Sequence, residues 1–159
     1  MKTSKFIRHY LLLMIAGLTL VSCSEDNFFL DNIDQTGRSF PVISNIIIQN
    51  QQDEYTSGET VQIRVEFWSN DPVKEIVLYD SLVNIRDREV VLTEPAANAS
   101  FSEESETDVI ILNYTVPDVP EDPTTINLQV EVINENGLSE INTDADNFTI
   151  RRIEIIAVP

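Results

Sequence analysis

Two segments of the chain alternate apolar and polar side chains with a period of two. The apolar positions are Val61, Ile63, Val65 and Phe67 in the first segment, and Ile126, Leu128, Val130 and Val132 in the second. Successive side chains of a β-strand point to opposite faces of the sheet, so this period is typical of a strand that is buried on one face only. Each segment therefore predicts a half-buried strand.

Five further segments have the composition of strands and are separated by turn-forming residues. They are residues 42–49, 75–79, 89–93, 108–116 and 148–158. Clusters such as Ser57-Gly58 and Asn70-Asp71-Pro72 favour turns between them. No segment has the apolar spacing of a long helix, and residues 100–106 are the best candidate for a helical turn. The sequence predicts an all-β fold, a seven-stranded antiparallel β-sandwich.

The first 22 residues differ in character from the rest of the chain. Lys2, Lys5 and Arg8 precede an apolar run over residues 11–21, and there is no acidic side chain before Ser22. This layout is typical of a secretory signal peptide, and the run is shorter than the roughly 20 residues that a membrane-spanning helix needs. We predict a signal peptide over residues 1–22, a polar linker over 23–40 and one domain over 41–159.

The end of this segment, Leu20-Val21-Ser22-Cys23, resembles the lipobox of bacterial lipoproteins. The resemblance implies cleavage before Cys23, acylation of that cysteine and a lipid-anchored location at the outer membrane. Cys23 is the only cysteine of the chain, so it has no disulfide partner here. Several acyl chains would anchor the protein firmly, because each buried methylene adds about 0.8 kcal/mol of membrane affinity.

A short acidic stretch, Ser24-Glu25-Asp26, follows the cysteine. It resembles the export signal of surface lipoproteins of Bacteroidota, which implies that the protein faces the cell surface. The alternative is a solvated tether on a protein that faces the periplasm.

Removal of the signal peptide makes the chain strongly acidic. Seven of the ten basic side chains remain against all 27 acidic ones, so the net charge becomes −20. Nucleic acid is excluded as a partner by this reasoning, because binding a polyanion requires a basic patch. An anionic membrane surface would also repel the chain, so we expect membrane contact through the lipid anchor alone.

The second alternating strand leads into Asn136-Gly137, two residues that tolerate the positive φ of a tight hairpin turn. Residues 126–139, together with Ser57-Gly58-Glu59-Thr60 before an earlier strand, resemble bacterial immunoglobulin-like and fibronectin-III-like surface modules. The resemblance implies an immunoglobulin-like β-sandwich.

Catalytic side chains are scarce. The single histidine, His9, lies in the predicted signal peptide, and acylation would consume the single thiol. Ser-His and Cys-His nucleophiles and a His/Cys zinc site are therefore excluded from the mature chain. Asp144 and Asp146 are calcium candidates, although their loop lacks the glycine and terminal glutamate of an EF-hand, and the alternative is a solvated acidic turn. We predict a protein that is not an enzyme and has no cofactor.

Three aromatic residues are candidates for ligand binding: Trp68, Tyr79 and Tyr55. Trp68 falls on the face opposite the apolar stripe of its strand, where an indole can stack on a sugar or contact a protein. Alternatively, it folds under the neighbouring turn. Separately, Asp80-Ser81-Leu82 resembles the O-glycosylation motif of exported Bacteroidota proteins, which implies modification of Ser81.

Two classes of function follow from these features. The first is a non-catalytic surface module that binds carbohydrate or protein, as an accessory to an outer-membrane nutrient uptake system. The second is a structural or spacer lipoprotein that contacts other envelope proteins without a small ligand. The first predicts a contiguous exposed aromatic patch around Trp68, Tyr79 or Tyr55, and the second predicts apolar surface on an edge strand or near Phe28 and Phe29.

Overall fold

The computed structural model describes residues 37–120, 122–141 and 153–159, and these form ten strands and one short 3₁₀ turn. The strands are β1 (Val42–Ile48), β2 (Tyr55–Thr56), β3 (Thr60–Trp68), β4 (Val73–Leu82), β5 (Arg86–Pro95), β6 (Ser100–Ser102), β7 (Thr107–Thr115), β8 (Thr124–Asn134), β9 (Ser139–Ile141) and β10 (Ile153–Val158). The 3₁₀ turn is Ala96–Asn98.

The strands form two sheets that pack face to face. One sheet has four strands in the order β1-β3-β7-β6, and the other has six, in the order β2-β10-β8-β4-β5 with β9 paired to β8. All pairs are antiparallel except β2 with β10, which is parallel. The prediction of an all-β sandwich is confirmed.

The two alternating segments found in the sequence are the centres of the two sheets. In β3 and β8, every second residue is buried, and the buried set includes the apolar positions on which the prediction rested. Val61, Ile63, Val65, Ile126, Val130 and Val132 are all fully buried. These side chains face the opposite sheet, and their burial is the main stabilising contribution to the fold.

The strand order is immunoglobulin-like. In that fold, the first, second, fifth and fourth principal strands form one sheet, and the third, sixth and seventh form the other. The observed order follows this rule when the seven principal strands are, in chain order, β1, β3, β4, β6, β7, β8 and β10. The strands β5 and β2 are added at the two edges of the second sheet. The immunoglobulin-like prediction is confirmed.

The structure differs from the prediction in strand number and in one turn. All seven predicted segments contain a strand, but β2, β6 and β9 are additional, so there are ten strands and not seven. The helical turn predicted over residues 100–106 is wrong, because Ser100–Ser102 pairs with β7 and residues 103–106 form the connecting turn. The 3₁₀ turn lies just before this segment, at Ala96–Asn98.

A polar network fixes the chain just before β1. The Asp71 carboxylate accepts hydrogen bonds from the Ser39 backbone N–H at 2.7 Å, from the Ser39 hydroxyl at 2.9 Å and from the Asn136 amide at 2.8 Å. Asn134, which is buried, donates to the Ser39 carbonyl at 3.0 Å. Ser39 is itself buried and lies within the folded unit, although the sequence places it in the linker. These hydrogen bonds lower the pKa of Asp71.

This network and the β4–β5 turn lie at opposite ends of the sandwich. Ser39 contacts residues that flank the start of β4 and the end of β8, since Val73 is opposite Asn134. The β4–β5 turn follows Leu82, at the other end of the same strand. Ten strand residues span about 33 Å, so the N-terminal segment meets the domain far from this turn.

Candidate binding surface on the six-stranded sheet

Several residues singled out in the sequence lie outside the described residues. They are Cys23, Ser24, Glu25, Asp26, Phe28, Phe29, Asp144 and Asp146. Lipidation, surface export and calcium binding at these positions stay predictions.

Tyr55 is not an exposed ligand-binding residue, and the structure corrects this candidate. Its side chain is 1% exposed, as part of the hydrophobic core. Its hydroxyl donates to the Asn50 carbonyl at 3.0 Å and accepts from the Gln52 N–H at 3.0 Å. The phenol thus fixes the loop before β2, and its polar atom is satisfied inside the fold.

Trp68 and Tyr79 lie on opposite outer faces of the sandwich. Inward-facing residues of β3 include Phe67, so the half-buried Trp68 points away from the second sheet. Inward-facing residues of β4 include Leu78 and Asp80, so Tyr79 points outward from the six-stranded sheet. A contiguous aromatic patch that includes both rings is therefore not present among the described residues.

Tyr79 is held by charged neighbours on its outer face. Its hydroxyl donates to the Glu131 carboxylate at 2.6 Å, and the same carboxylate accepts from the Ser139 hydroxyl at 2.5 Å. The Arg88 guanidinium carbon lies 4.8 Å from the centre of the Tyr79 ring, within cation–π distance, and Arg88 also donates to Gln129 at 3.2 Å. The hydrogen bond to Glu131, followed by burial, raises the pKa of Tyr79, so the hydroxyl keeps its proton at neutral pH.

Exposed apolar side chains lie directly beside Tyr79. Val90 is the cross-strand partner of Tyr79 and is 57% exposed. Val91, which is 39% exposed, is the extra residue of a β-bulge at this point. Arg88 is two residues from Val90 on the same strand and therefore shares its face. We name Tyr79, Arg88, Val90 and Val91 the β5 patch.

The sequence identified only Tyr79 of this patch. Residues 89–93 were recognised as a strand, and two adjacent valines in an otherwise charged segment are a signal that could have marked Val90 and Val91. The proximity of Arg88 and Glu131 to Tyr79 follows from strand register, which the sequence pattern does not specify.

β5 lies at one edge of the six-stranded sheet, and it has features that hinder pairing with a strand of another molecule. Its pairing with β4 is interrupted by two register shifts. Arg86 and Glu89 lie opposite Leu82 and Asp80 and share their inward orientation, and they form an ion pair of 3.2 Å. Bulges and inward-pointing charges on an edge strand disfavour strand addition. The β5 patch is therefore better suited to contact through its side chains.

Asp80 joins the two sheets inside the sandwich. It is 1% exposed, and no other acidic side chain among the described residues is buried as completely. Tyr114, on β7 of the opposite sheet, donates to one carboxylate oxygen at 2.7 Å, and Arg86 donates to the other. Burial and then Asp80 raise the pKa of Tyr114, so the hydroxyl remains a donor. Both oxygens of Asp80 are occupied, which indicates a structural role.

Ser81 lies on the half-buried outer side of β4 between paired strands. Its neighbours Asp80 and Leu82 are 1% and 5% exposed. Two of the three side chains that carry the O-glycosylation resemblance, Asp80 and Leu82, are thus inside the fold. Modification of Ser81 stays a prediction.

Two surface pockets have no β5 patch residue in their lining, and both are open to solvent. One of about 490 Å³ is lined by Asp71, Pro72, Phe67 and Asp108 at the end of the sandwich where Ser39 is held. Another, of about 600 Å³, lies beside Arg64, Glu94 and Ile111. Within residues 37–120, 122–141 and 153–159, no group of three acidic, histidine or cysteine side chains could hold a metal ion.

Within the same ranges, no helix has the length and the hydropathy that crossing a membrane requires.

Comparison with known proteins gave no match to a protein-family model or to a curated protein. Among solved structures, the sporulation control protein Spo0M of Bacillus subtilis is 11% identical with a TM-score of 0.39; the match covers 74% of this chain and 49% of that one. A Niemann-Pick type C2 protein of the Japanese carpenter ant is 12% identical with a TM-score of 0.45, covering 79% of this chain and 96% of that one. At these scores, neither similarity bears on function.

Proposed function

We propose that the protein is a non-catalytic, lipid-anchored module of the outer membrane that binds another envelope protein through the β5 patch. The resemblance of residues 20–23 to a lipobox supports the anchor, and the acidic residues after Cys23 favour orientation toward the cell surface. An accessory role in a nutrient uptake assembly fits both features.

The observation that best supports protein binding is the number of exposed apolar side chains in β5 and the turn before it. Of the seven large apolar residues exposed among the described ones, four lie in the β4–β5 turn and β5: Val83, Ile85, Val90 and Val91. Single exposed apolar residues are ordinary, but the two adjacent exposed valines, Val90 and Val91, beside Tyr79 on a strongly acidic protein favour a contact surface. This apolar edge-strand surface is the feature expected of a structural lipoprotein that contacts other envelope proteins, and it supports that class more than the class for which a contiguous aromatic patch is expected.

The proposed protein has no catalytic activity. The mature chain contains no histidine and only the cysteine that lipidation would use. Among the described carboxylates, buried Asp80 has both oxygens occupied by Arg86 and Tyr114. General acid–base chemistry requires a group that substrate can reach, and Asp80 does not meet that requirement.

Site-specific photo-crosslinking in the native host tests the proposal. A photoreactive amino acid at position 90 should give one adduct of defined mass, whose partner is identified by mass spectrometry. The same amino acid at Phe101, which is 64% exposed on the other sheet, is the matched control. Val91→Glu should abolish the adduct at position 90 while circular dichroism stays unchanged. Recovery of the uncrosslinked protein alone, or equal adducts at both positions, would contradict protein binding at this surface.

Carbohydrate binding is a second candidate, favoured by a polar row on the same outer face. Asn127, Gln129 and Glu131 alternate along β8 beside Tyr79, and planar amide groups next to an aromatic ring suit sugar hydroxyls. Arg88 covers part of the Tyr79 ring, which reduces the surface available for stacking. On a glycan array, Tyr79→Ala should lose binding and Trp68→Ala should retain it; binding to no glycan by the unaltered protein would exclude this candidate.

A further inference from the structure

Arg88 has no carboxylate partner among the described residues, although the chain has a large excess of acidic side chains. Ion pairs elsewhere among the described residues join Arg64 to Glu66, Lys74 to Glu75, and Arg86 to Asp80 and Glu89. The contacts of Arg88 are the Tyr79 ring and the Gln129 side chain, both uncharged. In a protein of this composition, a guanidinium that forms no ion pair with a described carboxylate is an unusual feature of the surface.

The contacts of Arg88 fix its position and leave most of its hydrogen-bonding capacity unused. A guanidinium carries five N–H donors, and one nitrogen, Nη1, donates to Gln129. The cation–π contact with Tyr79 orients the planar group without using an N–H. The remaining donors suit a carboxylate, which arginine binds with two parallel hydrogen bonds.

An apolar surface lies directly beside these donors. Val90 is on the same face of β5, two residues or about 7 Å along the strand from Arg88, and it is more than half exposed. A ligand that spans both positions needs a carboxylate and an apolar group separated by a few ångströms.

We infer that the β5 patch binds a segment of the partner protein in which a carboxylate, taken by Arg88, lies next to an apolar side chain that packs on Val90 and Val91. This inference rests on the proposed function and specifies the chemistry of the partner. Complementary charge supports a carboxylate as the group bound, since Arg88 forms no ion pair with a described acidic residue. A second copy is disfavoured because each mature chain has a net charge of −20.

The acidic residues around Arg88 reduce the affinity of the β5 patch for a carboxylate. Asp87 and Glu89 flank Arg88 in β5, and Glu89 is paired with Arg86 at 3.2 Å. Glu131 is bound to the Tyr79 hydroxyl and to Ser139, so its charge is partly satisfied by two donors on this face. More distant acids are screened beyond a Debye length of about 8 Å at physiological ionic strength. The partner segment is therefore expected to carry few negative charges apart from the one that contacts Arg88.

Two small probes that differ only in charge test the inference on the mature chain, residues 23–159, in detergent. N-acetyl-L-phenylalanine presents a carboxylate beside an apolar ring, and its primary amide lacks the charge. By NMR, the acid should shift the Arg88 side-chain signals and the Val90 and Val91 methyl signals, with a Kd on the order of millimolar. The amide should bind about tenfold more weakly, because a charge-assisted hydrogen bond is lost.

Matched variants separate a specific contact from general electrostatics. Arg88→Gln should remove the difference between the two probes, whereas Lys74→Gln, which removes an exposed charge from β4, should preserve it. Val90→Ser should weaken both probes equally. Absence of binding, equal affinity for acid and amide, or equal effects of Arg88→Gln and Lys74→Gln would overturn the inference.

The two experiments fail in distinguishable ways. A specific crosslink at position 90 without preference for the acid probe would retain the protein-binding proposal and reject the carboxylate contact. Preference for the acid probe without any crosslink would support a carboxylate-binding site and reject an envelope protein as its ligand.

Discussion

Single carboxylates of this protein have opposite effects on stability according to their surroundings. Glu140, on β9, accepts a hydrogen bond from the Ile43 N–H at 2.9 Å, but its burial dominates and raises its pKa above the ordinary 4.5. Asp71 accepts several hydrogen bonds and has a lowered pKa, so its contribution to stability is lost only as pH falls through that lower value. Burial without sufficient donors thus makes Glu140 unfavourable when it is charged.

Glu140→Gln should stabilise the protein at neutral pH and flatten its pH dependence. The folded state binds the Glu140 proton more tightly than the unfolded state, so this residue reduces stability as pH rises through and above its ordinary pKa. Glutamine keeps an acceptor for the Ile43 N–H and removes the buried charge. Urea unfolding between about pH 5 and pH 8 measures the effect.

The control for this prediction is Glu135→Gln, at an exposed position of the β8–β9 turn. It removes the same charge from a protein of high net negative charge but not from a buried site. If both variants gain equally at neutral pH, relief of net charge, and not burial of Glu140, is the cause.

At the scale of strands, the hydrogen bond between Tyr114 and Asp80 connects β7 with β4 across the core. Tyr114→Phe should destabilise the fold by about 1.5–3 kcal/mol, because the buried Asp80 carboxylate then keeps only Arg86 as partner. The midpoint of urea unfolding measures this loss. Tyr79→Phe is the matched control: its hydroxyl bonds a partly exposed carboxylate on the outer face, and its loss should cost about 0.5–1 kcal/mol. Equal losses would contradict a special role for the buried pair.

The long strands could be predicted from the sequence, but the short ones could not. β3 and β8 are long enough to show a sustained period of two, whereas β2 has two residues and β6 and β9 have three each. A period cannot be recognised over so few positions, and these strands exist because neighbouring strands offer pairing partners. Residues 100–106 were misassigned for the same reason.

The candidate site was predictable only in part, because strand register brings its residues together. The outward orientation of Tyr79 follows from alternation along β4, but its pairing with Val90 depends on a bulge at Val91. Tyr55 was misjudged because a two-residue strand does not reveal which face is buried, and the structure places its ring in the core. Arg88 reaches Tyr79 through cross-strand geometry that no local pattern encodes.

At the scale of the whole molecule, the segment that precedes β1 and the exposed β4–β5 turn lie at opposite ends of the sandwich. The Ser39 network holds the chain at the end where β4 begins, and the exposed β4–β5 turn lies at the other end of that strand. If the protein is anchored through Cys23, the linker therefore joins the domain at the end opposite Val83 and Ile85.

Cys23→Ala should abolish acylation of the protein and cleavage before residue 23 without unfolding the domain. Lipid supplies the membrane affinity in this proposal, since the acidic chain is repelled by anionic surfaces and each acyl methylene contributes about 0.8 kcal/mol. Intact mass should show an acylated chain beginning at Cys23 in the unaltered protein, and fractionation should find it with membranes.

A variant with Glu25→Ala and Asp26→Ala is the control: it should stay acylated and membrane-bound but become inaccessible to protease added to intact cells. An unaltered protein without acyl mass on a chain that begins at Cys23 would contradict the lipid anchor. Unchanged protease access in the control would contradict only the export role of Glu25 and Asp26.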